Sequence, residues 1–459
     1  MTNRLLQSLR GWLKARYRRW RDARTRRELA AMARRGGCFV LASTWEFPNP
    51  THTFVHQEML GLRQLATQLG LGVRILHGEA RAAAPLAQRF APLLGDTARI
   101  ETIAAIHRAD RDTLARAHPG RVDAFLQRVA TATGRSVAAL RDEPLVLRAC
   151  TFTRLCELAG VRYLQTWFCY EESFLAMFAA AVLDVPRGLS CHVDHVLADH
   201  PFKLVALHLE TADLVTAISE RTRAELLAIG GAACAPRLLR KRIGVDGERL
   251  RPLRDLARAP FELLSVSRLE PKKGLAVLVE AAALLRARGR RVLVRIVGGE
   301  DRGHAASADC ARQLRELVRV RGLDDVVRMP GAVPNDDLPS LLAAAGAFVA
   351  PYVTMPSGDV DGIPTSVVEA MAAGLPIVAT AVGAIGEVVV DGQEGLLVPE
   401  HDAAALAAAI ERLLDDGALR ARLGAAAARR FDAEFDCRRS DEPLHERVRQ
   451  LLAARPAST

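Results

Sequence analysis

Asp361-Gly362-Ile363-Pro364-Thr365-Ser366-Val367-Val368-Glu369-Ala370 stands between an apolar run, Ala347-Phe348-Val349-Ala350-Pro351, and a stretch of helical pattern over 365–373. A buried strand that turns through a glycine into a helix is the unit of a parallel α/β sheet. Gly362 lets backbone approach a ligand closely, and Pro364 suits a first helical turn. The amides of Ile363, Thr365 and Ser366 can then point at an anion, aided by the helix dipole. Pro364 itself has no N–H to offer. Glu369 lies about one turn further in, where a carboxylate can accept hydrogen bonds from a ribose diol, so Asp361 and Glu369 flank an anion-binding helix start. Taken alone, the decapeptide is equally an ordinary capped helix with an acid in its first turns.

A second stretch narrows the choice. Ser267-Arg268-Leu269-Glu270-Pro271-Lys272-Lys273-Gly274 follows the apolar run Leu263-Leu264-Ser265-Val266. Arg268 and Lys273 at a strand-to-helix turn can both reach a diphosphate, Arg with a fork and Lys as a point charge. On its own this octapeptide reads as a solvated basic loop. In a domain that also offers an anion-binding helix start, the ligand reading is the stronger.

Working outward, strand and helix patterns alternate on both sides. Strands are expected at 292–297, ending at Gly298-Gly299, and at 326–329, 347–351 and 376–379, with helices at 274–288, 307–321, 335–345, 365–373 and 402–415. Toward the N-terminus, strands are expected at 38–42, 73–76, 162–166, 188–192 and 213–217, with helices at 54–69 and 171–182. Residues 80–158 read as mostly helix. The Pro-containing basic stretch 236–260 is placed as the linker. Two doubly wound α/β halves with a cleft between them follow, with ligands bound beyond the carboxyl ends of the strands. The domains are expected at 1–35 (basic helix), 36–240, 241–425, and a C-terminal helical segment, 426–459, packing back on the N-terminal domain.

The formal charge of the 459-residue chain is +10, and it sits in one place. Residues 1–35 hold twelve Lys or Arg against two acids, while the rest of the chain has 51 of each and is neutral. A neutral body argues against a nucleic-acid-binding enzyme, which needs a basic face on the domain itself. Leu5, Leu6, Leu9, Trp12, Leu13, Tyr17 and Trp20 recur at helical steps through the basic segment. Such a helix fits the interface of an anionic membrane; a helix docked on its own body, an acidic partner and nucleic-acid binding are the alternatives. No apolar run is long enough to span a bilayer, and the N-terminus lacks an apolar signal-peptide core. Eight cysteines without a C-x-x-C pair read as free thiols in a reducing compartment. The body is therefore expected in the cytoplasm, peripheral on the inner face of the plasma membrane.

These residues also carry a family resemblance. S-R-L-x-x-x-K-G at 267–274, I-V-G-G at 296–299 and P-G at 330–331 are followed by D-G-I-P-T-S-V-V-E-A-M-A-A-G-L-P-I-V-A-T at 361–380 and D-G-x-x-G-L-L-V-P at 391–399. In this order and spacing they resemble the donor domain of retaining glycosyltransferases of the GT-B fold, family 4 (glycosyl transferases group 1). The stretch from Trp45 to Glu58, with Phe47, Pro48, Phe54 and Val55, resembles the F-P-x-x-S-E-T-F-V-x-x-E segment of bacterial exopolysaccharide glycosyltransferases of the colanic-acid type.

The resemblance implies two Rossmann-like domains facing a cleft and a nucleoside diphosphate sugar, UDP- or GDP-linked, as donor. It implies that Arg268 and Lys273 hold the diphosphate and that Glu369 binds the ribose. Asp361 would contact the transferred sugar, and Gly362, Ile363, Pro364, Thr365 and Ser366 the sugar hydroxyls and phosphate. Gly298 joins this donor-binding set. Ser190-Cys191-His192-Val193-Asp194 resembles the family's strand-end histidine segment, which makes His192 a residue of the active site. The acceptor is expected to be lipid-linked or a saccharide. No metal or other cofactor is expected: His52 and His56 have an i, i+4 spacing but no third ligand nearby.

The chain departs from the family pattern at four places. Asp361 stands where Glu is more frequent, Gly386 where Pro is frequent, Thr51-His52 where Ser-Glu is usual, and the spacing after His192 is shortened. A sugar-nucleotide epimerase of the same architecture and a non-catalytic nucleotide-sugar-binding scaffold are the rival readings. The paired cations and paired acids, both addressing a donor, favour the transferase.

Overall fold

The computed structural model describes residues 2–42, 46–49, 52–80, 86–101, 103–192, 202–300 and 305–455. The chain forms two compact units. One comprises Met1–Ala217, Thr222–Lys241 and Glu442–Thr459; the other comprises Ile218–Arg221 and Arg242–Asp441. The chain passes between them at Lys241 and Arg242, inside the stretch expected to be a linker. The second unit runs to Asp441, beyond the boundary placed at 425, because the helix Gly417–Arg430 and the turn Phe431–Phe435 bury Leu423, Phe431 and Phe435 within it.

Unit 1 holds a seven-stranded parallel sheet. Its strands are β1 (Cys38–Ala42), β3 (Gly72–His77), β5 (Thr97–Arg99), β6 (Val161–Trp167), β7 (Arg187–Cys191), β8 (Leu214–Ala217) and β9 (Leu238–Arg240). The short strands β2 (Glu46–Phe47) and β4 (Glu79–Ala80) pair separately. The order across the large sheet is β5-β3-β1-β6-β7-β8-β9. β1 lies between β3 and β6, so the chain winds one way from it and then the other. Every residue of β1 is buried, as a strand covered by helices on both faces requires. The helix Thr53–Gln68 buries Val55, Met59, Leu62 and Leu65 on one side. The C-terminal helix Glu442–Ala454 adds Leu444 and Val448 to the same core.

Unit 2 repeats the plan with six parallel strands: β10 (Glu262–Val266), β11 (Leu293–Val297), β12 (Val327–Gly331), β13 (Ala347–Ala350), β14 (Ile377–Thr380) and β15 (Gly395–Val398). Their order is β12-β11-β10-β13-β14-β15. The winding reverses at β10, which pairs with β11 on one side and β13 on the other. Each unit is thus a Rossmann-like doubly wound sheet.

The stretch 80–158 is not simply helical. A 3-10 segment, Gln88–Asp96, and strand β5 precede the helices, and Pro92 inside that segment explains the interruption. Residues 81–85 and 102 lie outside the described residues, as do Thr51, Val193 and Asp194 of the resemblance segments. The first helix, α1 (Thr2–Ala33), is longer than the stripe that announced it. Asp22, Thr25 and Leu29 are buried against the body, whereas residues 10–20 are exposed throughout. The docked alternative therefore holds for the second half of α1 alone. Among the described residues no helix is long and apolar enough to cross a membrane.

Candidate functional site

In unit 2 the two motif loops leave the sheet side by side. Ser267–Gly274 follows β10, and Pro351–Pro364 follows β13, its direct neighbour. The reversal of winding between these strands opens the crevice in which such sheets bind ligands.

The loops touch through charge. The Lys273 ammonium pairs with the Asp361 carboxylate and lies 4.8 Å from the centroid of the Tyr352 ring. Lys272 pairs with Asp359 at 3.1 Å. Both side chains of the Lys273–Asp361 pair are largely buried, 10% and 14% exposed. Arg268 is more open and reaches Glu270 at 2.7 Å. The sequence motifs did not single out Tyr352. It is 1% exposed, and burial, with the Asp361 charge next, raises its phenol well above the ordinary value while a hydrogen bond with Ser366 opposes the shift.

Glycines set how closely these loops approach. Gly274 has φ +60°, and a Cβ there would meet the Pro351 carbonyl oxygen at 1.8 Å. Gly298, after β11, has φ +156°, and its Cβ would sit 1.7 Å from the Ser267 oxygen. Both positions need glycine on conformation and on space. Gly298 thus lets the backbone before Arg268 lie close against the end of β11. A Cβ on Gly383 would meet the Asp361 carbonyl oxygen at 2.3 Å.

The helix Thr365–Ala372 begins at the residue expected, but Pro364 plays another part. Pro364 is its N-cap, with φ −73° and ψ 121°, and does not occupy the first turn. The first helical bonds run from Val367 and Val368 back to the Pro364 oxygen, at 3.1 and 3.4 Å. The amides of Thr365 and Ser366 therefore lie ahead of the helical ladder, at its positive end. Glu369 lies one turn in and is 5% exposed. Arg268, Lys273, Asp361, Gly362–Ser366 and Glu369 thus belong to one strand-end region of unit 2.

Unit 1 gathers a second group at the carboxyl ends of its strands. His192 follows β7 directly and is 7% exposed. Its ring lies 4.6 Å from Phe54 and 5.2 Å from Phe168, centroid to centroid. Phe168 has φ +67°, a conformation that bulky residues rarely adopt and that concentrates at functional sites. His52 faces the same Phe168 ring at 5.2 Å. His56 points elsewhere: it is 1% exposed between Phe47 and Phe90. Burial, then His52 and Arg89, lowers its pKa to about 3.

Beneath His192 lies a buried polar network centred on Glu58. Its carboxylate pairs with Lys241 at 2.9 Å and accepts hydrogen bonds from Trp167 Nε1 at 2.8 Å and Ser190 Oγ at 2.7 Å. Ser190 also accepts from Thr216 Oγ1 at 2.9 Å and Gln165 Nε2 at 3.0 Å. Burial pushes the Glu58 carboxyl upward, but the Lys241 charge and the hydrogen bonds outweigh it and hold the group below its usual range. One signal for Glu58 stood in the sequence, an acid at a core step of the helix pattern between Val55 and Leu62. Its partner Lys241 had none.

Comparisons with known proteins bear on this geometry. Residues 249–430 match the family model of glycosyl transferases group 1. The putative colanic acid biosynthesis glycosyltransferase WcaL of Salmonella typhimurium is 39% identical over 198 residues, 43% of this chain and 46% of that protein. The amylovoran biosynthesis glycosyltransferase AmsK of Erwinia amylovora is 32% identical over 243 residues, 53% of this chain and 57% of that one. The chain spans about half the length of these curated relatives. Among solved structures, Anabaena Alr3699/HepE in complex with UDP superposes with a TM-score of 0.63 at 18% identity, covering 90% of this chain and 100% of that one. Sucrose-phosphate synthase from Thermosynechococcus elongatus gives 0.66 at 21%, covering 91% and 100%. At these identities the two structures speak for the two-domain fold, of the GT-B kind. The segment that matches the glycosyl transferases group 1 model, 249–430, holds the site residues singled out in unit 2.

Proposed function

We propose that the protein is a retaining, family 4 glycosyltransferase that moves a sugar from a nucleoside diphosphate sugar to an acceptor hydroxyl in bacterial exopolysaccharide assembly. The observation that carries this is the convergence of Lys273, Asp361 and the start of the helix Thr365–Ala372 at the winding reversal of unit 2. It lies inside the segment matching the glycosyltransferase model. The similarity to WcaL and AmsK supports the exopolysaccharide context.

The reaction leaves negative charge on the departing diphosphate. Once the donor is bound, Arg268, Lys273 and the amides of Thr365 and Ser366 meet that charge without further reorganisation, which is where electrostatic catalysis is strongest. In this reading they do so without a metal ion. Glu369 accepts from the donor ribose. Without donor, Asp361 neutralises Lys273. When the diphosphate arrives it takes over that cation, and Asp361 is released to the transferred sugar. Unit 2 is then the donor domain and unit 1 the acceptor side, where His192 contacts the sugar and the Glu58–Lys241 network fixes the strand end that carries it. Anabaena Alr3699/HepE is solved with UDP and with UDP-glucose; for this chain we take UDP- or GDP-sugars as donors. The acceptor is lipid-linked or a saccharide, and the enzyme works peripherally on the inner face of the plasma membrane.

The test is transfer of radiolabel from UDP- and GDP-sugars into a bacterial lipid extract, with the product anomer read by NMR. Transfer with retained configuration, absent in Lys273→Ala, supports the reading. Conversion of donor to an equilibrium mixture with an isomeric nucleotide sugar, without any acceptor, overturns it in favour of an epimerase.

A further inference from the structure

α1 carries two faces with different partners. Its second half is bolted to unit 1. Asp22, Thr25 and Leu29 are buried, and Arg21 pairs with the buried Glu101. Arg26 forks onto Asp110 at 2.7 and 3.0 Å and also holds Asp22 at 2.8 Å. Forked guanidinium–carboxylate contacts fix orientation as well as distance. Upstream, Trp12, Leu13, Tyr17 and Trp20 are each more than half exposed. Cations attend the rings: Arg16 lies 5.3 Å from Trp12, Arg21 5.2 Å from Tyr17 and Arg24 5.9 Å from Trp20.

At about 3.6 residues per turn, Leu13, Tyr17 and Trp20 lie roughly half a turn from the docked set 22, 25, 26 and 29, and Trp12 lies about a quarter turn from it. The aromatic face therefore looks away from unit 1, with Trp12 on its flank. The first 21 residues contain seven Lys or Arg and no acid.

We propose that α1 is a rigid mount: it lies in the headgroup plane of an anionic bilayer, with its aromatic face in the lipid and unit 1 fixed to its opposite face. This deepens, and rests on, the peripheral-membrane reading above. Exposed aromatics interleaved with cations suit the interface, where rings sit among headgroups and arginines meet lipid phosphates. Nucleic acid is the weaker fit, because the chain after residue 35 has no net positive charge to continue the contact. The mount holds unit 1 about one helix diameter, roughly 10 Å, above the headgroups, within reach of an acceptor anchored in the same bilayer.

The experiment uses the full chain and vesicles of phosphatidylcholine with and without phosphatidylglycerol, read by flotation. Binding should require phosphatidylglycerol, fall about five-fold for each of Arg16→Gln and Arg19→Gln, and fall about ten-fold or more for Trp12→Ser with Trp20→Ser. Quenching by brominated lipid, taken as the difference from Trp12→Phe and from Trp20→Phe, should reach both rings. Flotation independent of phosphatidylglycerol or of these variants overturns the proposal, as does preferential binding to RNA over vesicles. A quenched Trp12 beside an unquenched Trp20 overturns the in-plane mount. UDP and GDP binding, measured on the same samples, separates the two readings. If nucleotide binds and vesicles do not, only the mount fails. If vesicles bind and nucleotide does not, the mount stands and the transferase reading fails.

Discussion

Lys273 and Asp361 stand 88 residues apart in the chain and close an ion pair across the two strand ends where the winding of unit 2 reverses. One comes from the turn after β10, the other from the loop after β13. The pair joins the two loops that the sequence motifs mark separately, and it sits against the ring of Tyr352.

Removing one partner of a largely buried pair leaves a charge without compensation. Lys273→Ala should therefore lower stability by about 3 kcal/mol, measured by urea unfolding. Lys273→Ala with Asp361→Ala should recover a substantial part of that loss. Additive losses would show that the two side chains do not interact.

Gly298→Ala tests the close approach at the Arg268 loop. The added methyl would meet the Ser267 oxygen at 1.7 Å, on a backbone with φ +156°. A cost above about 2 kcal/mol is expected, together with weaker nucleotide binding, because Arg268 is displaced with its loop. A variant with unchanged melting and binding would mean that the loop relaxes freely.

The network around Glu58 predicts an asymmetric response in unit 1. Lys241→Met strands a buried carboxylate and should cost about 3 kcal/mol or more. Glu58→Gln with Lys241→Met should cost less than Lys241→Met alone. The sign with pH follows from the lowered Glu58 pKa. Its contribution is present above the unfolded carboxylate range and is lost as pH falls through the folded value, so Glu58→Gln should flatten the acid limb of the stability profile.

Glu172 behaves oppositely. It is 4% exposed, and burial raises its carboxyl to about 7 from 4.5. The folded state then holds a proton that the unfolded chain releases, so this group's penalty grows as pH rises from 4.5 to about 7 and is full above that. Glu172→Gln should raise the melting temperature at pH values above this window, by the equivalent of up to about 3 kcal/mol, and change little well below it. Equal effects on both sides would contradict the assignment.

Part of the fold was legible because β1 and β13 are continuous apolar runs. β6 and β10 carry polar residues and were read from the apolar pieces inside them. The strands missed were short and atypical, the two-residue β2 and β4 among them. β5 (Thr97–Arg99) follows a Pro-containing turn, β9 (Leu238–Arg240) is half-buried at a sheet edge, and β15 begins at Gly395. The helices Val205–Thr211, Glu220–Gly230 and Gly417–Arg430 were also missed, the last being rich in Ala and Arg with only a narrow apolar stripe. In the candidate site, strand-end motifs were readable because loop chemistry is local. Tyr352 and Lys241 were not, since their meaning depends on which strand ends meet. The split in α1 was hidden too: its arginines look alike in sequence, and only Glu101 and Asp110 distinguish those that dock.

The most direct test of the account is thermal stabilisation of the purified protein by a panel of nucleoside diphosphates and their sugars. A ligand that binds only the folded state must raise the midpoint by mass action. The account predicts a selective rise with one diphosphate nucleotide and its sugar, lost in Lys273→Ala and in Glu369→Ala although each variant still unfolds cooperatively. No rise with any member of the panel, or a rise that both variants retain in full, would contradict a donor site at the winding reversal of unit 2.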